Sequence, residues 1–252
     1  MTSLAADSAL LGGRAVMKIS RNPASIMGAI LFPLLFFLLF NVTMRRIMEA
    51  QGFDYVQLLP SAIVVQAMLF AAMSSAYYVA DDRVSGVLQR LRSMPIHRGA
   101  PMMGRAVGDV VRAAVSLVVL LVVGVATGMR FNAGIAWLPV YVGVALLFAV
   151  GAALAMGLLG YIAGSPESAV SIATIPYLPL LMLSSAFVPV EDFPGWLQPF
   201  VEWQPVTAVI DALRALTGDG DISSTVSRSV GWSIGFLVVC GYLGTRAMRK
   251  AS

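Results

Sequence analysis

An unbroken apolar run near the start of the chain, residues 30–40, reads ILFPLLFFLLF and decides the fold class. It lies within an uncharged interval, about residues 23–44, between Arg21 and the Arg45-Arg46 pair. About 20 consecutive apolar residues are enough for an α-helix to cross the hydrocarbon core of a bilayer. Residues 23–44 are therefore predicted to form a membrane-spanning helix.

The composition of the whole chain also indicates a membrane protein. Of its 252 residues, 58% are hydrophobic and 12% are charged, whereas soluble domains contain about 45–50% apolar and about 25% charged residues. A soluble enzyme is excluded, because so few charged side chains could not cover a water-exposed surface. The net charge of +4 is attributed to loop orientation in a membrane rather than to nucleic-acid binding. The single cysteine cannot form an internal disulfide.

Six spans follow when the other uncharged intervals are interpreted in the same way. The fourth is expected to be one tilted helix, and a turn at residues 164–167 separates it from the fifth. The predicted spans are residues 23–44, 57–80, 106–129, 136–163, 168–190 and 227–246. We expect an all-α integral membrane fold, a single domain over residues 1–252, whose first span is kept in the mature chain.

The charges outside the spans predict the orientation, because short loops rich in Lys and Arg stay in the cytoplasm. With both termini cytoplasmic, 12 of the 17 basic residues lie inside and 8 of the 13 acidic residues lie outside. The inside set is Arg14, Lys18, Arg21, Arg83, Arg90, Arg92, Arg98, Arg105, Arg112, Arg246, Arg249 and Lys250. An even number of spans satisfies both counts, so a multi-pass protein of the plasma membrane is predicted.

The predicted spans lack the residue types that membrane enzymes and ion-coupled carriers use. We expect no Asp, Glu, Lys, Arg or His away from the span ends, and the only histidine, His97, falls in a predicted cytoplasmic loop. A proton-driven carrier, a hydrolase or a metal site needs such groups, so no catalytic or metal-binding residue is predicted. The chain also lacks the Gly-x-x-x-x-Gly-Lys-Ser/Thr loop that binds nucleotide phosphates. The energy for transport is therefore expected to come from a partner protein.

Several polar residues and two prolines inside the spans are candidates for lining a transport pathway. The prolines of the fifth span free backbone carbonyl groups, so a kink is expected there. The kink is either a bend that fits packing or a hinge beside the pathway, and serine pairs are also ordinary helix-packing residues. The candidates are Gln66, Ser74, Ser75, Pro176, Pro179, Ser184 and Ser185.

The loop after the second span predicts a short amphipathic helix over about residues 82–94. Apolar residues recur there at spacings of three and four, and the opposite face is basic and polar. The helix either rests on anionic lipid head groups or docks a cytoplasmic partner. A further helix is expected to begin at Pro101 and to run into the third span, with Arg105, Asp109 and Arg112 spaced for pairing.

Short helices are predicted outside the membrane at about residues 191–218. The second half places apolar residues on one helical face, with Asp211 and Arg214 at pairing distance. Trp196 and Trp203 are expected to anchor the segment at the membrane interface. It is either an ordinary amphipathic loop or a lid over the exit path.

Two segments resemble the ABC-2 type transporter permeases. Asp82-Arg83, the stretch GVLQRLRSMP at residues 86–95 and Gly104-Arg105 are similar to the coupling segment of that family. After the fifth span, its C-terminal signature is matched by FVPV at 187–190, PGWLQPF at 194–200, QPVT at 204–207 and ALR at 212–214. With Asn22-Pro23 and the six spans, the resemblance covers nearly the whole chain and is closest to the daunorubicin-resistance type.

This resemblance implies the type V-like permease fold of an ABC exporter. Two six-span subunits would pair as a homodimer or with a related permease, and two copies of an ATP-binding subunit would dock from the cytoplasm. ATP and Mg²⁺ would bind that subunit, so this chain is expected to hold no cofactor and to catalyse nothing. The implied cargo is an amphipathic drug or a lipid-like solute. Trp196 and Trp203 of the outer segment would then belong to a lid over the exit path.

The resemblance also carries docking positions onto this chain. They are Arg83, Gly86, Leu88, Arg90, Leu91, Arg92 and Pro95. Gln89 stands where the family often has Glu, so the resemblance does not carry a salt bridge over to that position, although the helix itself is unaffected. The alternative function is a secondary transporter or facilitator that works without an ATP-binding partner, using backbone carbonyls of the proline-containing span for ion coupling.

Overall fold

The protein is built from helices. A computed structural model describes residues 10, 12–14, 16–17, 23–87, 90, 100–218 and 220–250. Throughout these residues, every regular element is helical. The main helices are α1 (Pro23–Ala50), α2 (Tyr55–Val84), α3 (Ala100–Ala126), α4 (Leu138–Ile162), α5 (Pro166–Met182), α6 (Gln198–Trp203), α7 (Pro205–Thr217) and α8 (Ile222–Lys250). Short 3-10 turns at Ile135–Trp137 and Val190–Asp192 precede α4 and α6.

Helix α2 is the centre of the bundle. It contacts α1, α3, α4, α5 and α7, and its side chains are buried along most of its length. By contrast, α1 and α8 lie at the periphery and expose large apolar side chains, among them Leu39, Val42 and Val238. Exposed apolar surface of this extent is typical of a protein surrounded by lipid.

Aromatic side chains attach α1 to the rest of the bundle. Phe32 stacks on Phe70 of α2, and Phe40 stacks on Phe187, with 4.7 Å between ring centroids in both pairs. Phe36 lies between them on the same face of α1. Stacked rings at this separation add to the stabilisation that burial provides.

The bundle has two ends that are built differently. At one, which we call the loop end, α2 finishes, α3 begins, and the Arg83 guanidinium contacts the chain after α4. At the other, the α7 end, α1 finishes, α2 begins, and α7 packs against α2, α4 and α8. The assignment of the loop end to the cytoplasm stays a prediction from the charge count.

Local turn chemistry explains several helix boundaries. Gly52, with φ of +88°, occupies a conformation that favours glycine and separates α1 from α2. Asp54 then caps α2 by accepting the Gln57 N–H. Ser165 and Ser168 form a capping box at the start of α5, so the turn predicted at residues 164–167 is found, although α5 already begins at Pro166.

Within the residues that the structure describes, five helices are long and apolar enough to cross a membrane. They comprise Ile30–Ala50, Tyr55–Val84, Gly104–Ala126, Ile135–Ile162 and Ile222–Gly244. These segments overlap the first, second, third, fourth and sixth predicted spans.

The prediction of a helical fifth span over residues 168–190 is wrong at its end, because α5 stops at Met182. The Ser184 hydroxyl donates to the Leu181 carbonyl at 2.6 Å and accepts the Ala186 N–H at 3.2 Å, and such local bonds compete with helix continuation. With 17 residues, α5 is about 25 Å long, less than the roughly 30 Å of a hydrocarbon core. The six-span count therefore stays a prediction.

The short helices expected within residues 191–218 are present as α6 and α7, and the predicted apolar face of α7 is found, but α7 does not have the exposed polar face of a surface loop helix. Its apolar face is buried, and so are Thr207, Ala212 and Ala215 on the other side. These side chains are small enough for neighbouring helices to approach. Helix α7 is therefore inserted into the bundle rather than lying on its surface.

The helix predicted at residues 82–94 is wrong at its start, because α2 continues to Val84. Gly86 has φ of +71° and ends α2, after which the Arg90 N–H donates to the Gly86 carbonyl at 3.1 Å and starts a new turn. The other predicted docking residues, Leu88, Leu91, Arg92 and Pro95, lie outside the described residues.

Candidate functional site

A buried group of polar side chains joins α2 to α3 near the loop end, and we call it the loop-end cluster: Ser75, Tyr78, Asp109 and Arg112. The Asp109 carboxylate accepts a bond from the Ser75 hydroxyl and one from the Arg112 guanidinium, both at 3.0 Å. Arg112 also lies 5.0 Å from the centre of the Tyr78 ring, within cation–π range. Asp109 is 9% exposed and Arg112 is 4% exposed. Each buried charge is therefore stabilised by its ion partner rather than by water.

The charged residues of this cluster lie near one end of a predicted span, in the first half of α3. Asp109 and Arg112 lie within the candidate span Gly104–Ala126. Arg105 was expected to be spaced for pairing with Asp109, but it forms an ion pair with Asp82 instead. Three charged residues at the start of α3 therefore hold α2 and α3 together.

Arg83 extends the connections at the loop end to α4. Its guanidinium donates to the carbonyl groups of Tyr161 and Ala163 and lies 5.2 Å from the centre of the Tyr161 ring. The loop that leaves α2 at Ser85 thus starts beside a residue that contacts the end of α4.

Close helix packing adds to these polar contacts. A Cβ atom added to Gly160 of α4 would overlap the Ala76 carbonyl of α2. One added to Gly157 would lie 3.5 Å from the Ser75 hydroxyl. Only glycine lets the α4 backbone approach α2 this closely, so the loop end has little room for rearrangement.

A second polar group, which we call the α7 cluster, lies at the opposite end: Ser185, Asp211, Arg214 and Arg228. The Asp211 carboxylate accepts from the Ser185 hydroxyl at 3.0 Å and from Arg228 of α8 at 2.9 Å. The sequence spacing had suggested a pair between Arg214 and Asp211, but Arg214 does not bond to Asp211. Its guanidinium donates to the carbonyl groups of Ser185, Ala186 and Leu58, at 2.8, 3.2 and 3.4 Å.

Further hydrogen bonds fasten the chain after α5 to the start of α7. The Gln204 amide donates to the Leu183 carbonyl, and the Ser185 N–H donates to the Thr207 hydroxyl at 3.2 Å. Several polar backbone groups of the irregular segment 183–186 are therefore satisfied by α7 and the residue that precedes it, which explains how the segment is tolerated among apolar helices.

A cavity of about 320 Å³ opens beside the α7 cluster. Its walls include Gln57 and Leu58 of α2, Asp211, Arg214 and Thr217 of α7, and Thr225 of α8. Such a volume has room for several water molecules, each of which occupies about 30 Å³ in the liquid. The charged groups of the α7 cluster can therefore reach water without large movements of the helices.

Partial burial shifts the pKa values in the α7 cluster. Loss of solvation raises the pKa of Asp211 above its usual 3.8, and this effect exceeds the opposing attraction of Arg214 and Arg228. Burial lowers the pKa of Arg214 to about 10, with Asp211 acting in the opposite direction. Arg214 therefore remains charged at neutral pH.

The predicted pathway residues do not come together in one site. Ser75 belongs to the loop-end cluster, and Ser184 and Ser185 belong to the junction of α5 with α7. Gln66 is buried beside Tyr177, without a hydrogen bond of normal geometry to its amide. Ser74 and Pro176 are half-buried and Pro179 is exposed, so their role in a pathway stays a prediction.

The two tryptophans predicted for a lid are exposed. Trp196 is 81% exposed and Trp203 is 65% exposed, as an anchor at a membrane interface requires. A role of Trp196 and Trp203 in a lid stays a prediction.

Sequence reasoning missed the contacts of Arg214, Arg228 and Asp109 across elements. The predicted spacing of Asp109 and Arg112 is confirmed as an ion pair, whereas the bond of Asp109 to Ser75 in α2 was not predicted. Nothing local in the sequence indicated that Arg228 would reach α7. Across the described part of the chain, no three His, Cys, Asp or Glu side chains are grouped to hold a metal ion.

Comparison with known proteins shows which family and which relatives this chain resembles. Its residues 9–217 match the ABC-2 type transporter family. It is 29% identical to the "probable doxorubicin resistance ABC transporter permease protein DrrC" of Mycobacterium tuberculosis, over 98% of this chain and 90% of that relative.

Two further relatives have similar names. The daunorubicin resistance ABC transporter permease protein DrrB1 of Streptomyces coeruleorubidus is 28% identical, over 81% of this chain and 72% of its own length. The doxorubicin resistance ABC transporter permease protein DrrB of Mycobacterium tuberculosis is 31% identical, over 71% of this chain and 61% of its own. Because the family match covers most of the chain, this protein belongs to the ABC-2 type transporter family.

Proposed function

We propose that the chain is the permease subunit of an ATP-driven exporter that moves an amphipathic drug or a lipid-like solute out of the cell. The names of the relatives, which refer to doxorubicin and daunorubicin resistance, support a cargo of this chemistry. Two copies of an ATP-binding subunit would hold ATP and Mg²⁺ and supply the energy. A second permease chain in the plasma membrane would complete the pathway, and this chain itself would catalyse nothing.

One observation carries the coupling part of this proposal. The loop between α2 and α3 starts and ends on helices that are joined by the Asp82–Arg105 pair and by the loop-end cluster. A partner that displaces the loop would therefore move both helices together. ATP could shift the permease between conformations only if its subunit binds the two conformations unequally.

Co-purification from the native membrane tests the partner. We expect an ATPase to travel with the wild-type chain and an Arg90→Glu substitution to release it, because the substitution reverses a charge on the docking loop. Arg130→Glu is the matched control, since Arg130 is exposed beyond the end of α3, away from the loop. Doxorubicin uptake into inverted vesicles should require ATP and should fall in the Arg90 variant alone.

A secondary transporter is the second candidate, and the buried Asp109 carboxylate favours it, because ion-coupled carriers use such groups. The bonds from Arg112 and Ser75 support a structural role for Asp109 instead. Vesicles that contain folded Asp109→Asn protein separate the two functions. An exporter would still respond to ATP, whereas a carrier would lose uptake driven by a proton gradient. ATP-independent uphill transport by the purified chain would contradict the exporter.

A further inference from the structure

We propose that Arg83 is a positioning residue that ties the docking loop, the chain between α2 and α3, to the α4–α5 turn at residues 163–165, so that a movement of the loop reaches α5 as well as α3. This inference rests on the proposed coupling to an ATP-binding partner and adds a second direction in which the movement passes through the chain. The resemblance carried Arg83 over as a docking position, whereas its contacts in the structure are made within the chain.

The end of α4 has carbonyl groups that the helix itself cannot bond, as every helix C-terminus does. Helix α4 stops at Ile162, and Ala163 is extended, with ψ of 147°. The Arg83 guanidinium donates to the carbonyl groups of Tyr161 and Ala163, the second at 3.5 Å. A cation at this position also complements the negative end of the helix dipole. Arg83 of α2 therefore caps the C-terminus of α4.

The Tyr161 side chain completes this contact. The central carbon of the Arg83 guanidinium, Cζ, lies 5.2 Å from the centre of the Tyr161 ring, within cation–π range. A planar guanidinium can donate to carbonyl groups and lie over a ring at the same time, whereas the ammonium group of lysine is a compact point charge. The contact is therefore expected to be stronger with arginine than with lysine.

Two neighbouring residues connect the end of α2 in two directions. Asp82 forms an ion pair with Arg105 of α3, and Arg83 contacts the end of α4. At Gly86, with φ of +71°, α2 has ended and the docking loop has begun. A displacement of the loop at Gly86 therefore acts on α3 through Asp82 and on α4 through Arg83.

The end of α4 is linked closely to α5. Only residues 163–165 separate the two helices, and the capping box of Ser165 and Ser168 fixes the conformation in which α5 begins. The backbone of α4 is also packed against α2 at Gly160, so the end of α4 has little freedom to slide along α2. A displacement of Ala163 is therefore passed on to α5 rather than absorbed in the turn.

Spin labelling of the turn tests the contact on the purified chain, without a partner. In a Cys240→Ser background, Gly164→Cys places a nitroxide label on an exposed residue of the α4–α5 turn, where an added Cβ meets no atom within 4 Å. Addition of Arg83→Gln should speed the motion of the label, seen as narrower lines in the EPR spectrum. Arg130→Gln, which changes an exposed arginine at the other end of the bundle, should leave the spectrum unchanged. An unchanged spectrum in folded Arg83→Gln protein would overturn the proposal.

The complex with the ATP-binding partner separates positioning from docking. We expect Arg83→Gln and Tyr161→Leu to keep the ATPase during purification and to lower doxorubicin uptake per ATP hydrolysed by about threefold, the effect of losing one exposed cation–π contact. Arg83→Lys, which keeps the charge, should restore part of the uptake. Because both substitutions remove the same ring contact, the double variant should lose little more uptake than Arg83→Gln alone.

Three results would contradict the positioning role. Release of the ATPase by Arg83→Gln, as expected for Arg90→Glu, would show that Arg83 docks the partner. Unchanged uptake per ATP hydrolysed would show that the contact does not transmit movement, and additive losses in the double variant would show that Arg83 and Tyr161 act independently. If no ATPase co-purifies with the wild-type chain, the proposed exporter fails, and the spin-label spectrum alone shows whether Arg83 holds the turn.

Discussion

Asp109 and Arg112 at the loop end are 3.0 Å apart, and Asp211 and Arg228 at the α7 end are 2.9 Å apart. The first pair lies within regular helices beside a glycine contact and is almost sealed from solvent. The second lies beside irregular chain and a cavity. The same pair chemistry can therefore make a rigid junction or one that can separate, depending on access of water.

The largest expected effect tests the rigidity of the loop end. Asp109→Ala removes the carboxylate and leaves Arg112 buried without its ion partner, which costs about 3–5 kcal/mol. The free energy of unfolding in detergent micelles, followed by tryptophan fluorescence, measures the loss. The matched double variant, Asp109→Leu with Arg112→Met, leaves no buried charge and should recover most of the stability. A double variant as unstable as the single one would contradict this explanation.

The close approach of α4 to α2 gives the next largest effect. Gly160→Ala introduces a Cβ that overlaps the Ala76 carbonyl, and such overpacking costs about 1–3 kcal/mol. Gly231→Ala is the control, since a Cβ there meets no atom within 4 Å and alanine favours a helix. Equal thermal stability of the two variants would show that the loop end is not tightly packed.

Loss of the second ion pair should have a smaller effect than loss of the first. Arg228→Gln leaves the Asp211 carboxylate with the Ser185 hydroxyl and with access to the cavity, so a cost of about 1–2 kcal/mol is expected. The same unfolding measurement provides the comparison with Asp109→Ala. A loss equal to or greater than that of Asp109→Ala would remove the distinction between the two ends.

The pH dependence of stability sharpens the contrast further. Because burial raises the pKa of Asp211 above 3.8, the folded chain binds this proton more tightly than the unfolded chain does. The contribution of Asp211 is therefore greatest below pH 3.8 and is lost as the pH rises through the raised pKa. The difference in unfolding midpoint between wild type and Asp211→Asn should shrink over that range. A difference that grows instead would show that Arg214 and Arg228 outweigh the burial.

The smallest effect is expected on the surface. Arg45 and Glu49 form an ion pair 2.8 Å long, with 43% and 42% of their side chains exposed. Exposed pairs of this kind contribute about 0–1 kcal/mol. Arg45→Ala should therefore leave the unfolding midpoint nearly unchanged, and high salt should not alter the result. A loss comparable to that of Arg228→Gln would mean that exposure does not separate these pairs.

The sequence predicted the main helices well, because charged residues cannot lie in lipid without a partner and so mark the ends of apolar helices. The rule did not indicate that the two charged residues near the start of α3, Asp109 and Arg112, are buried together against α2. It also failed at α5, whose end depends on a local bond of the Ser184 hydroxyl. Local patterns do not indicate such compensating contacts.

The candidate site was less predictable than the fold. The polar pathway residues were found by residue type, yet their grouping depends on which helices meet, and periodicity carries no information about that. Helix α7 shows the difficulty, since its alanines and threonines are equally compatible with exposure and with burial. Only the neighbouring helices decide between the two.

The contrast between a central α2 and a peripheral α1 has a consequence for how this protein can diverge. Exchange among leucine, isoleucine and valine on the outward side of α1 should be nearly silent in a saturation mutagenesis screen, since only hydrophobic character matters there. Positions along α2 contact five other helices, so most codon changes there should be eliminated by selection. Homologous chains would then conserve the sequence of α2, whereas the sequence of α1 would vary.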